Sequence, residues 1–165
     1  RSPYDNISAF NTYHYTVYVP TNESIEALIN SGKLPTWEQV EAEEKAGETE
    51  KSEADAQLIL NFLRYHIQDN SLVIGGGTDD DYHETALIDS ETHRFHQLHS
   101  KLTATGLTVR DNTGSEAHVM ADFGLYNLMA REYQYMGTSA INARMLQTTS
   151  SAVIHLIDKP LMYNL

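Results

Sequence analysis

The seven residues that decide how the chain is read are Ala152-Val153-Ile154-His155-Leu156-Ile157-Asp158. Taken as a strand, they alternate between two faces, and both faces are apolar apart from His155. This pattern predicts a central strand that is buried on both sides and ends at the charged Asp158. On a strand, His155 and Asp158 lie on opposite faces about 10 Å apart, so we expect no catalytic dyad between them.

The length and charge of the chain limit the classes of protein it can belong to. Its 165 residues predict one domain, 15–165, behind a lead-in segment, 1–14. The absence of cysteine excludes disulfides, thiolate nucleophiles and cysteine-ligated metals. The formal net charge is −12, and half of it lies in residues 38–55, which carry eight acids and two lysines. Such an acidic chain argues against nucleic acid and anionic lipid as partners.

The pattern upstream of residue 70 predicts one strand followed by helices. A strand over 15–19 ends at Pro20, and Thr21 or Asn22 caps a helix over 23–29. Thr36 caps a second helix, with Gln39 as its capping-box partner, and 46–52 is expected to be a loop. A third helix begins at Ser52. Its predicted apolar face consists of Leu58, Ile59, Phe62, Leu63 and His66.

The pattern downstream of residue 70 is mainly typical of β-structure. It predicts a short strand over 72–74 and then an acidic loop over 78–81. Two hairpins follow, pairing 84–88 with 94–98 and 106–110 with 117–121. Helical turns are expected at 125–131 and 141–146, before the final strand.

Three blocks of this sequence resemble the signatures of the fasciclin-like domain and occur in the same order. The first is Thr16-Val17-Tyr18-Val19-Pro20-Thr21-Asn22-Glu23, the second is Leu63-Arg64-Tyr65-His66-Ile67, and the third is Ala152–Leu161. Together they span roughly residues 15–163, so the resemblance covers almost the whole chain. Two features depart from the pattern: Ser151-Ala152 replaces the usual Asn-Gly, and 34–55 is a long acidic insertion, which resembles the bacterial branch of the family.

The resemblance implies an α+β fold, a β wedge or sandwich with helices packed along one side. It implies an extracellular or cell-surface location, as in an outer-membrane lipoprotein, often with neighbouring fasciclin-like domains in tandem. The implied activity is adhesion to a surface or matrix protein or to a glycan, without catalysis or a cofactor. Membrane attachment is expected only through an anchor outside these residues. The structural signature residues would be Thr16, Pro20, Thr21, Asn22, Tyr65, His66, His155 and Asp158.

His155 and the Tyr65-His66 pair each allow a functional interpretation. His155 could act as a general base with Asp158, Ser150 or Ser151, but we expect a buried structural histidine bonded to the Thr21-Asn22 turn. A Tyr-His pair has been linked to integrin binding in animal relatives. Because Leu63 and His66 lie on the predicted apolar helix face, we expect this segment to be core instead.

His93, His96 and His99 are the weak candidates for a metal site. Imidazole is a common zinc or copper ligand, but on a strand His96 faces away from the other two. The acidic run 79–81 lacks calcium-loop spacing, and the glycines at 75–77 lack the lysine of a phosphate loop. The leading hypothesis is a non-catalytic adhesion domain. The alternatives are a metal-binding or hydrolytic protein that uses the histidines, and a passive spacer domain.

Overall fold

The computed structural model describes residues 14–128 and 151–163. The lead-in up to residue 13, the expected turn at 141–146, the end of the turn at 125–131, and Ser150 lie outside these ranges. The described residues form seven strands and three helices: β1 (His14–Pro20), α1 (Asn22–Asn30), α2 (Trp37–Lys45), α3 (Thr49–Tyr65), β2 (Ile67–Asp69), β3 (Asp79–Ile88), β4 (Phe95–Leu102), β5 (Leu107–Arg110), β6 (Glu116–Met120) and β7 (Ser151–Ile157).

The seven strands close into one barrel in the order β1 to β7. Strand β7 pairs in parallel with β1 along its whole length and antiparallel with β6, while the remaining neighbours are antiparallel. The predicted wedge or sandwich with helices along one side is therefore wrong. Because β7 is bonded along both edges, the strands form a single closed sheet, and all three helices come between β1 and β2.

The barrel interior is formed by the alternate residues of each strand. Thr16 and Tyr18 of β1 lie directly opposite Val153 and His155 of β7, and all four side chains are buried. Strands β3 to β7 and the segment after β7 supply most of the rest of the apolar core, which includes Leu87, Leu98, Leu102, Leu107, Val109, Ala117, Ile157 and Leu161. The prediction that the β7 stretch is buried is confirmed for its inner face, while Ala152, Ile154 and Leu156 on its outer face are only half-buried.

Two helix starts confirm the predicted caps and one does not. The Thr21 hydroxyl accepts a hydrogen bond from the Ser24 N–H (3.3 Å), and Thr36 accepts one from Gln39 (3.1 Å). Helix α3, however, begins at Thr49, so Ser52 is an interior, buried residue of the helix and not its cap. The predicted loop 46–52 is correspondingly reduced to the three residues 46–48.

The buried face of α3 is rotated from the predicted one. Ile59, Phe62 and Tyr65 are buried, whereas Leu58 and Leu63 are 41% and 51% exposed. The two leucines lie beside the buried stripe. A helical pattern with leucines on several sides cannot show which of them meets the sheet.

The β-half confirms both predicted hairpins and corrects the first strand. β3 pairs with β4 across the turn at Asp89, and β5 pairs with β6 across the turn at Asp111. The expected strand 72–74 is wrong, since the strand next to β1 is β2 and residues 71–73 are irregular. The expected acidic loop is also wrong from residue 79 onwards, because Asp79–Ile88 is one continuous strand.

Candidate functional site

One row of side chains crosses the outside of the barrel from β3 to β6. Tyr82 lies opposite His99, His99 opposite Arg110, and Arg110 opposite Glu116. Residues directly opposite each other on neighbouring strands point to the same face of a sheet. Their neighbours in sequence, such as Leu98, Val109 and Ala117, are buried, so this row faces outward.

The row begins with a stacked pair of rings. The Tyr82 and His99 ring centroids are 4.7 Å apart with an interplanar angle of 23°, and Tyr82 is 62% exposed. The His99 Nε2 atom lies 2.6 Å from Asp80 Oδ1, which fixes the orientation of the imidazole. The two stacked rings form an aromatic platform in which His99 covers one face of Tyr82, while most of the Tyr82 side chain remains exposed.

A groove of about 860 Å³ runs along this row, and we call it the outer groove. Its lining includes aromatic rings, guanidinium groups and side-chain amides, namely Tyr82, Phe95, Arg94, Arg110, Gln97 and Asn112, and also two carboxylates, Glu84 and Asp111. Rings can pack against the C–H face of a sugar, while amides and guanidinium groups can hydrogen-bond to hydroxyl or carboxylate oxygens. The volume lies within the range of small-molecule sites.

Four of the signature residues, Thr16, Pro20, Thr21 and Asn22, lie in β1 and at the start of α1. The Thr16 hydroxyl donates to the Asn70 carbonyl (2.7 Å) and accepts from the Leu72 N–H (2.9 Å). Pro20 is the last residue of β1, Thr21 caps α1, and Asn22 is the first residue of that helix. Each of these residues therefore has a visible role in the fold, away from the outer groove.

Tyr65 and His66 are buried and hold the C-terminal segment 161–163 against the barrel. The Leu161 N–H donates to His66 Nε2 (3.0 Å), so Nδ1 carries the proton and donates to the Phe62 carbonyl (2.7 Å). Burial lowers the pKa of His66 to about 4. The Tyr65 hydroxyl accepts from the Asn112 N–H (3.1 Å), and burial raises the pKa of Tyr65 to about 12. In this arrangement the pair is not displayed for adhesion.

His155 and Asp158 have separate partners, so they form no dyad. His155 Nε2 donates to the Leu72 carbonyl (2.7 Å), which corrects the predicted bond to the Thr21-Asn22 turn. Its Nδ1 atom has no hydrogen-bond partner among the described residues, and burial lowers the pKa of the ring. Asp158 instead accepts from the backbone N–H of His118 (2.8 Å). Of the two serines considered, Ser150 lies outside the described residues, as does the side chain of Ser151.

The three histidines of the weak metal candidate do not come together. His93, in the turn before β4, and His99 both line the outer groove, whereas His96 faces the inner side of β4. In residues 14–128 and 151–163, no group of three potential ligands is placed to hold a metal ion. The neighbouring acids have local partners, since Asp79 pairs with His83 and Asp80 pairs with His99, both at 2.6 Å.

The outer groove was not predicted from the sequence, although the sequence contains part of the pattern that indicates it. The alternation of buried and polar residues in 94–102 places His99 on an outward face, and the hairpin predicted around 89–93 fixes the pairing direction. Extending that hairpin in its predicted register would place Tyr82 opposite Ser100, one residue from its actual partner His99, because the register shifts between Glu84 and Ile88. The prediction of a loop over 78–81 also hid the start of β3.

Comparison with family models and with curated proteins gives no match to this chain, so the resemblance to the fasciclin-like domain rests on the three sequence blocks. Within the part of the chain that the structure describes, no helix is both long and apolar enough to cross a membrane.

Proposed function

We propose that this chain is a non-catalytic, ligand-binding domain of an adhesive surface or secreted protein, and that it binds a glycan in the outer groove. The observation that carries the proposal is the exposed Tyr82–His99 platform, with guanidinium and amide groups beside it. The three blocks that resemble the fasciclin-like family support the adhesive role and the extracellular location, and we propose membership of that family on the same grounds.

The character of the groove favours a glycan over a protein as ligand. The core of a protein-binding surface is depleted in charged residues, whereas this groove mixes two aromatic rings with two arginines, Glu84 and amides. A sugar presents both a C–H face for stacking and a dense set of hydroxyl groups for hydrogen bonds. Both kinds of group find partners along the single row from Tyr82 to Arg110.

A hydrolytic function is the second candidate because His99 is oriented by Asp80 inside the groove. A carboxylate that orients a histidine is a typical arrangement for a general base. Among the described residues that line the groove, however, there is no serine or threonine to act as nucleophile. A binding function therefore explains more of the residues that line the groove than a hydrolytic function does.

Calorimetric titration with a panel of neutral and acidic oligosaccharides tests the proposal. We expect at least one oligosaccharide to bind, and Tyr82→Ala to weaken it about tenfold, which corresponds to ~1.4 kcal/mol. Trp37→Ala is the matched control, since Trp37 is also an exposed aromatic residue, lies on α2 and does not line the groove. If no oligosaccharide binds, the passive spacer is the better interpretation. Turnover of a bound oligosaccharide that is lost in His99→Ala would favour the hydrolytic one.

A further inference from the structure

We infer that the glycan bound in the outer groove is acidic, a uronate-containing polysaccharide with one carboxylate held by Arg110 and another by Arg94. This inference rests on the proposed function and names the class of its ligand. It starts from the distribution of charge. The chain carries 23 acidic residues against 11 lysines and arginines, so most of its surface repels an anion.

The arginines of the described residues are concentrated at the groove. Of Arg64, Arg94 and Arg110, the latter two line it. No hydrogen bond or ion pair joins the Arg94 side chain to another described residue, and its guanidinium is exposed. A planar guanidinium without a protein partner is well suited to a bidentate contact with a planar carboxylate.

Arg110 has a protein partner that a ligand can replace. Its Nη2 atom lies 3.8 Å from Glu116 Oε1, and both side chains are about half exposed. An ion pair this long and this exposed contributes only ~0–1 kcal/mol. A ligand carboxylate can therefore compete for the guanidinium at small cost.

The groove is lined by two acids, Asp111 and Glu84, as well as by the two arginines. The buried carboxylate of Asp111 is occupied by donors from its own turn, including the Thr113 hydroxyl (2.6 Å), and by the Met162 N–H (2.8 Å). Glu84 is the remaining acid in the described lining. Asp111 is buried and held by these donors, so the exposed charged side chains of the lining are Arg94, Arg110 and Glu84.

The platform and the arginine lie on one line. Tyr82 on β3 and Arg110 on β5 are separated by the single strand β4, which is about 10 Å for two strand spacings. A saccharide that lies along the exposed edges of the stacked Tyr82 and His99 rings can therefore place a carboxylate at Arg110. Arg94, the residue before β4, lies five residues from His99, about 16 Å along the strand, so it would hold the carboxylate of a more distant sugar of the same polysaccharide.

Titration with two hexasaccharides of the same linkage, β-1,4-mannuronate and β-1,4-mannan, tests the inference. At 20 mM NaCl we expect mannuronate to bind at least tenfold more tightly, and the difference to shrink at 300 mM NaCl because the charges are exposed. In the double variant Arg94→Ala, Arg110→Ala the ratio of the two affinities should fall to about one. Lys101→Ala should keep the ratio, since Lys101 shares the outer face of β4 but does not line the groove.

The outcomes separate the two proposals. Equal affinity for both sugars would overturn the acidic preference and leave glycan binding intact. Binding of neither sugar, together with a negative wider panel, would overturn both. If a poly-glutamate peptide binds as tightly as mannuronate and Tyr82→Ala does not weaken mannuronate, the groove recognises anions and not saccharides. Circular dichroism confirms in each case that the variant is folded.

Discussion

The His66 side chain is held in a single neutral tautomer by two backbone groups. Its Nε2 atom must remain unprotonated to accept from the Leu161 N–H, and its Nδ1–H donates to Phe62. A proton on Nε2 would therefore break the bond that holds the segment after β7. Burial opposes the charged form as well, which is why the pKa falls to about 4.

We expect acid to destabilise the protein through His66. The pKa of the ring is 6.5 in the unfolded chain and about 4 in the folded one, so the unfolded state binds the proton first. The contribution of His66 to the free energy of unfolding is complete above pH 6.5. It amounts to about 3 kcal/mol and is lost as the pH falls towards 4. The measurement is urea unfolding between pH 7 and pH 4.5, with His66→Gln as comparison. An equal pH slope in the variant would show that His66 is not the group responsible.

Glu43, on helix α2, gives the stability of the fold a pH dependence opposite to that of His66. Its side chain is only 6% exposed, and neither carboxylate oxygen has a hydrogen-bond partner among the described residues. Burial and the neighbouring Asp55 raise the pKa of Glu43, while Lys51 and Gln39 oppose the shift. The charge of Glu43 therefore opposes folding above its folded-state pKa, and the penalty disappears as the carboxyl is protonated.

We expect Glu43→Gln to raise the melting temperature at pH 7 and to raise it much less at pH 4. The amide keeps the shape of the side chain but removes the charge beside Asp55. Glu44→Gln is the matched control, since Glu44 is exposed on the same helix and should change the melting temperature little. A melting temperature for Glu43→Gln that is lower than wild type at both pH values would contradict this account.

Among the structural elements, the turn between β5 and β6 is linked to the C-terminal segment by one buried carboxylate. Asp111 Oδ1 accepts from the Thr113 N–H (3.0 Å) and the Ser115 N–H (3.1 Å), and Oδ2 accepts from the Met162 N–H (2.8 Å). Both oxygens of Asp111 act as acceptors. The link between the turn and the C-terminal segment therefore requires a carboxylate, and a neutral side chain of the same shape is not sufficient.

Asp111→Asn should therefore destabilise the protein by ~1–3 kcal/mol. The amide nitrogen must face either the donors of the turn or the Met162 N–H, and one of them is left without an acceptor. Chemical unfolding at pH 7 measures the effect. Asp81→Asn is the control, because the exposed Asp81 accepts a single local bond from Tyr82 that an amide oxygen can also accept. Equal stabilities of the two variants would rule out this role for Asp111.

The elements that the sequence predicted well are those fixed by local chemistry. Thr21 and Thr36 cap their helices through bonds to residues three positions away, and both hairpins are set by their turns. The errors arise where long-range contacts decide. Residues 71–73 are irregular because Leu72 bonds to Thr16 and His155, which are remote in sequence. The outer groove needed the β3–β4–β5 register, so its platform could be predicted only once the full length of β3 was known.

At the scale of the whole molecule, the protein has a large excess of acidic residues, with a formal net charge of −12. The excess of acids is concentrated on α2 and the start of α3, where Glu41, Glu44, Glu50 and Glu53 are exposed. Like charges that crowd one region oppose the compact state. Screening by salt should reduce this repulsion.

We therefore expect NaCl to stabilise the protein, with the free energy of unfolding rising by ~1 kcal/mol between 20 and 500 mM. Replacing Glu41, Glu44, Glu50 and Glu53 by glutamine should raise stability at low salt and reduce the salt dependence. Denaturation by urea, which is uncharged, measures both. If the quadruple variant keeps the full salt dependence, the repulsion lies elsewhere on the surface.

Barrel closure is the whole-molecule feature that the sequence did not predict. β1 pairs with β7 in parallel over seven residue pairs, from His14–Ser151 to Pro20–Ile157. What the alternation of β7 could not show is its second partner, β6, through Val119 and Met120. Two apolar faces are compatible with a sandwich or a barrel, and only the pairing partners distinguish them.

The parallel pairing of β1 and β7 also has a mechanical consequence. Tension applied at residue 14 and at residue 157 acts on opposite ends of the seven-pair ladder, so it pulls the two strands past each other along their length. The load is then shared by all the hydrogen bonds of the ladder at once, instead of reaching them one after another as in an opening zipper. A domain pulled from these two points while its outer groove holds a ligand would resist extension in shear.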